Sequence, residues 1–144
     1  IYDILLTDVN STNIHEEISK KLNIEYLSDS HSVELEETNG IIFGINYRIF
    51  ISLPVKIKKE TKNIHFFLDT GCPRTFICKE AFSSFKETVV NKTYKTVLVN
   101  NRLIVTIQPP PDSHFTNVNI LGMDYLQTSH TKVTMDFENE KFSI

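Results

Sequence analysis

The 144-residue chain changes its hydrophobic rhythm near residue 40. Before that point apolar positions are sparse. "YDILL", residues 2–6, is a short strand-like run. In "NSTNIHEEISKKL" the residues Ile14, Ile18 and Leu22 recur at steps of four, with acids early and lysines late. That stripe predicts a helix, with Asn10, Ser11 and Thr12 as candidate N-caps. "SDSHSVELEETNG" is polar and reads as a linker ending in the turn dipeptide Asn39-Gly40. After it the rhythm is that of strands. "IIFGINYRIFISLPVKI" alternates or runs apolar, and "NIHFFLDT" returns after a charged tip. "KEAFSSF" fits one helical turn. "KTVLV" and "RLIVTI" flank Asn100-Asn101, a pair suited to a two-residue hairpin because asparagine tolerates positive φ. "VNILGMDYLQTS" reads as strand, glycine and a short helix starting near Asp124. "KVTMDF" and "KFSI" form a last hairpin around Glu138-Asn139. The expected fold class is all-β, mainly antiparallel, with one or two short helices. Residues 1–39 form a small α/β extension before a domain spanning 40–144.

Composition narrows the function classes. Hydrophobic residues make up 40% and charged residues 23%, enough for a core without disulfides. The formal net charge is -3, and the one basic cluster, Lys56 to Lys62, reads as a solvated hairpin tip. A nucleic-acid partner is therefore not expected. No apolar run approaches the roughly 18–20 residues of a membrane-spanning helix, and no signal-peptide pattern stands at the start. The chain opens on Ile1, which is compatible with a piece of a longer protein. Cys72 and Cys78 match neither a disulfide framework nor a zinc site, so reduced thiols and an intracellular, cytoplasmic setting are the expectation. His15, Glu16 and Glu17 read as a solvated helix face, and His65 as a packed or edge histidine.

The residues that carry chemistry stand in "NIHFFLDTGCPRTFI", residues 63–77. An apolar strand delivers Asp69 at the rim of a core. Gly71 allows a sharp turn and close approach of another chain, and Thr70 can hydrogen-bond across that turn. Alone, Asp-Thr-Gly is equally compatible with a carboxylate that caps a turn. Downstream, "VNILGMDYLQTSHTKVTMDFENEKFSI" repeats the theme of an apolar strand entering a glycine and then a helix. Together the two segments resemble the catalytic loop and the closing segment of the retropepsin-like aspartic proteases. The resemblance covers roughly residues 40–144.

That resemblance implies a retropepsin-like acid protease barrel supplying one catalytic residue, Asp69. The reaction needs two such carboxylates, so the active unit would be a homodimer acting on a peptide or protein substrate. Thr70, Gly71 and Cys72 would form the active-site loop. Ile120, Leu121 and Gly122 would support it from below, and Asp124 would cap or brace the short helix. No metal or organic cofactor would be needed. Three positions depart from the family pattern. Cys72 replaces the usual Ala or Ser, with no histidine placed to make it a nucleophile. Pro73 stiffens the loop. The region that should supply a glycine-rich flap, "KEAFSSFKETVVNKTYKTVLVNNRLIVTI", has no glycine. Either "FKETVVNKTY" is a short, stiff flap, or "VLVNNRLIV" is the flap with Asn100-Asn101 at its tip. Two functions follow: an aspartic endopeptidase, or a peptide-binding and dimerisation module on the same fold with little or no turnover.

Overall fold

The computed structural model describes residues 8–86, 94–113 and 116–144. The expected strand at 2–6 and most of the flap candidate "FKETVVNKTY" lie outside them. The fold is mainly antiparallel β with short helices, the class that the pattern predicts.

The strands are β1 (Asn39–Phe43), β2 (Arg48–Ile57), β3 (Glu60–Leu68), β4 (Tyr94–Val99), β5 (Arg102–Ile107), β6 (Asn119–Leu121), β7 (Thr134–Asp136) and β8 (Lys141–Ser143). β2 is the hub. It pairs with β3 along one edge, from Phe50↔Phe67 to Ile57↔Glu60. Its other edge is shared: β1 takes the first part through Ile41↔Phe50, and β4 takes the last part through Val55↔Val99. β5 follows β4 around the two-residue Asn100-Asn101 turn, where both residues have positive φ. β3 and β6 run parallel, Leu68 beside Leu121. Phe76 bridges to both Ile107 and Ile120, so the segment after Asp69 fills the gap between β5 and β6. These pairings close a ring through β2, β4, β5, Phe76, β6 and β3. β1, β8 and β7 branch from β2 as a side flap of sheet.

Three local expectations are corrected. Asn39-Gly40 is not a turn but the start of β1. A Cβ on Gly40 would lie 2.5 Å from the Phe50 carbonyl oxygen, so the glycine serves close strand approach. The long apolar run from Ile41 is two strands, reversed at 44–47 where Gly44 and Tyr47 adopt positive φ. The polar segment before β1 is more than a linker. Residues 27–30 bond to β3 backbone at Thr61 and Asn63, Leu35 pairs with the Asn100 side chain, and Thr38 exchanges backbone bonds with Ile144.

The N-terminal helix consists of an α-helical turn (Ser11–Asn13), a π-helical segment (Ile14–Ile18) and an α-helical turn (Ser19–Leu22). Asn10 and Asn13 cap its start reciprocally. The Ser19 hydroxyl donates to the Ile14 carbonyl five residues back at 2.6 Å, which fits the widened π turn. Ile14 and Ile18 are fully buried. They join Val9, Tyr26 and the barrel residues Phe50, Phe66, Ile77 and Ile120 in one hydrophobic cluster.

Candidate active site

β3 is buried continuously from Ile64 to Leu68, then releases its chain into a turn. Asp69 stands at that exit, half-buried. Its backbone N–H donates to the Leu121 carbonyl at 3.1 Å, continuing the parallel β3–β6 ladder by one bond. Its side-chain Oδ1 accepts from the Gly71 N–H at 2.9 Å, and its carbonyl accepts from the Cys72 N–H at 3.1 Å. The turn is thus closed by the aspartate itself. Thr70 and Gly71 are exposed at its tip. Gly71 does not have left-handed backbone. It supplies room instead, since a Cβ there would sit 3.2 Å from Asp69 Oδ1.

The loop is clamped from below. Ile120 and Leu121 are fully buried, and Phe76 exchanges two backbone bonds with Ile120. Gly122 is where loop and β6 meet most closely. A Cβ there would fall 2.2 Å from the Arg74 carbonyl oxygen and 2.4 Å from its carbon, so no larger residue fits. The Met123 and Asp124 N–H groups donate to the Cys72 and Pro73 carbonyls at 2.8 and 3.2 Å. Asp124 opens the helix Met123–Thr128. Its Oδ1 accepts from the Thr75 hydroxyl at 2.6 Å and from the Tyr125 N–H at 2.7 Å, and its Oδ2 accepts from the Thr75 N–H at 3.1 Å. The Thr75 oxygen in turn accepts from the Gly122 N–H at 3.2 Å. Fully buried Thr75 therefore ties the aspartate loop to the helix. Sequence reasoning assigned Asp124 to the helix alone and gave Thr75 no role. The available signal was a threonine six residues after Asp69 with a carboxylate two residues after Gly122.

Cys72 lies inside this loop, half-buried, and its thiol donates to the Arg74 carbonyl at 3.2 Å. Burial pushes the thiol above its ordinary value, and the charges of Asp69 and Asp124 push the same way against that hydrogen bond. A nucleophilic thiolate is disfavoured there. His65 is fully buried, away from the turn, and bonds to Ser19 and the Ile24 carbonyl. Among the described residues no group of His, Cys, Asp and Glu could hold a metal ion, and no helix is long and apolar enough to cross a membrane.

The Asn100-Asn101 turn packs beside Pro54 of β2, against Leu35 and the helix Met123–Thr128. The Asn100 N–H donates to the Pro54 carbonyl, and its side chain is tied to Leu35 and the Tyr125 hydroxyl. Along β2, Asp69 lies beyond the Phe50↔Phe67 pairing and this turn beyond the Val55↔Val99 pairing.

No protein-family model and no curated protein matches this chain. Among solved structures it is similar to a retropepsin-like aspartic protease from Rickettsia conorii. The TM-score is 0.48 and the identity 17%, over 75% of this chain and 90% of that one.

Proposed function

We propose that the chain is an aspartic endopeptidase that works as a homodimer. The observation that carries this reading is the seating of Asp69. Its carboxylate leaves a buried strand at a turn whose backbone is bonded to Leu121 and whose loop is bolted to the following helix through Thr75 and Asp124. Such bracing is what a carboxylate needs to hold one geometry through a reaction. Thr70 and Gly71 face outward, where a second copy can approach.

Two Asp69 side chains about 3 Å apart could not both ionise, so the pair would share one proton. The ionised carboxylate takes a proton from water as the oxygen attacks the peptide carbonyl carbon. The protonated partner gives its proton to the carbonyl oxygen, and a neutral gem-diol forms. Collapse re-forms the carbonyl as the C–N bond breaks. The nitrogen gains a proton from one carboxyl, a diol hydroxyl returns one to the other, and the dyad again holds one proton. An extended peptide would lie across the dimer as an added strand.

The β1–β2 tip supports the same arrangement. The β2–β3 pairing ends at Phe50↔Phe67, two residues before Asp69, and at the preceding β1–β2 tip Ile45 and Tyr47 are 90% and 69% exposed. Large apolar side chains on one end of a barrel fit a surface covered by a second copy. A dimer of this kind would bury on the order of 2,000 Å².

The second reading is a binding module without turnover, favoured by the absence of glycine between Gly71 and Gly122. A peptide library digested at about pH 4–6 separates the two, with Asp69→Asn as control and the dimer verified at the working concentration. Cleavage by the wild type and none by Asp69→Asn is expected. Equal inertness of both, with the dimer present, would overturn the enzyme reading.

A further inference from the structure

The belt formed by residues 8–38 meets the barrel at a buried polar cluster that the proposed chemistry does not use. His65 on β3 is fully buried. Its Nε2 lies 3.0 Å from the Ile24 carbonyl and 3.1 Å from Ser19 Oγ. A carbonyl only accepts, so Nε2 carries the proton and Nδ1 is a bare lone pair. Ser19 already donates its hydroxyl proton to Ile14, so it accepts from His65. The imidazole thus holds both the last turn of the N-terminal helix and Ile24, two residues beyond its end.

Among the described residues Nδ1 has no hydrogen-bond partner, and neither has Ser52 Oγ. Ser52 and His65 are direct cross-strand partners on β2 and β3, so these two buried atoms belong to one face of the sheet. From β6, Asn119 donates to the His65 carbonyl at 3.0 Å and to the Tyr26 hydroxyl at 2.6 Å. The Tyr26 ring lies 5.1 Å from the His65 ring and 4.8 Å from His15, and its hydroxyl reaches Cys78. His15 and Ser11 hold Glu80, which bonds neither nitrogen of His65. Among the described residues, the neutral Ser19 and Tyr26 contact the imidazole, Ser52 lies across from it on the sheet, Asn119 and Cys78 bond Tyr26, and cationic character comes from His15. A proton added at Nδ1 would put a charge in a buried site with no counter-ion bonded to it among the described residues.

We infer that His65 makes the N-terminal helix an acid-released clasp, docked on the barrel at neutral pH and detached when the imidazole takes a second proton. This goes beyond the peptidase reading and holds whether or not the barrel cleaves peptides. The sign follows from burial, the largest influence on this ring, which together with repulsion from His15 outweighs the Ile24 hydrogen bond. The pKa drops from 6.5 to about 4 in the docked state. The undocked state binds the proton more tightly. Docking is therefore fully supported above pH 6.5 and weakens as the pH falls toward 4. At pH 4.5 the ratio of docked to undocked helix should be roughly 70-fold lower than at pH 7.5.

The whole chain is treated with a glutamate-specific endoprotease at pH 7.5 and 4.5, and rates are normalised to an unstructured peptide of residues 10–28. Cuts at Glu16, Glu17 and Glu25 should be slow at the higher pH and tens of times faster at the lower, while the barrel keeps its β-type circular dichroism. His65→Gln keeps an N–H for the Ile24 carbonyl but cannot titrate, so its two rates should converge. Equal wild-type rates at both pH values, an unchanged pH ratio in His65→Gln, or loss of helix and barrel in one transition each overturns the clasp. If His65→Gln does not fold, the imidazole titration of the wild type by NMR decides. A value below 5 that moves together with the helix amides supports it, and a value near 6.5 overturns it.

Discussion

Removing the Asp124 carboxylate should weaken the fold and the candidate site together. In Asp124→Ala the Thr75 hydroxyl and N–H both lose their acceptor, as does the Tyr125 N–H at the helix start. Thr75 is fully buried. An orphaned buried donor costs about 1–3 kcal/mol, and a bond to a charged acceptor about 1.5–3 kcal/mol. Asp124 is half-buried, so water can reach part of the gap and the sum sits at the low end, about 2–4 kcal/mol. Asp124→Asn separates charge from geometry. Its single oxygen still serves the Thr75 hydroxyl and the Tyr125 N–H, but its amide faces the Thr75 N–H donor to donor, for a loss of about 1–2 kcal/mol. Urea unfolding, read as a midpoint change at constant slope, measures both. The expected order is wild type, Asn, Ala. If both variants unfold within about 0.5 kcal/mol of wild type, Thr75 has other partners and the clamp is not structural.

Three further outcomes are expected. Gly122→Ala forces a Cβ to within 2.2 Å of the Arg74 carbonyl oxygen and should cost about 3 kcal/mol, since backbone rather than a flexible side chain must move; a melting temperature equal to wild type would refute this. Asp8 receives two bonds from Arg48, at 2.9 and 3.2 Å, and one from Asn46, and the Arg48 hydrogen bond is the main cause holding its carboxyl below 3.8. Its contribution is present above the unfolded value and lost as the pH falls through the folded one. Asp8→Asn should therefore cost about 1 kcal/mol at pH 7, with the difference closing below pH 3.8; a gap independent of pH would contradict the ion pair. Ile45→Asp, at the exposed β1–β2 tip, should raise the dissociation constant of self-association at least tenfold by sedimentation; unchanged self-association would move the contact surface elsewhere.

Local physics made part of this protein legible from residue order alone. The Ile14, Ile18 and Leu22 stripe names a helix because a period near 3.6 puts those side chains on one face. Asn100-Asn101 names a tight turn because asparagine tolerates left-handed backbone, and both residues adopt it. "FFLDTG" placed a carboxylate at a strand exit because apolar run, acid and glycine are neighbours in the chain. Tertiary structure alone decided what those elements do. Gly40 looked like a turn and is a site of strand contact, because the Phe50 carbonyl that excludes a Cβ comes from the next strand. Thr75 and Asp124 meet across 49 positions, and Tyr26 and Asn119 across 93. Hydrogen bonds between such distant residues leave no periodic trace in a sequence. They exist only once the ring of strands has closed, which is why the clamp under Asp69 and the clasp at His65 became visible in the folded chain and nowhere earlier.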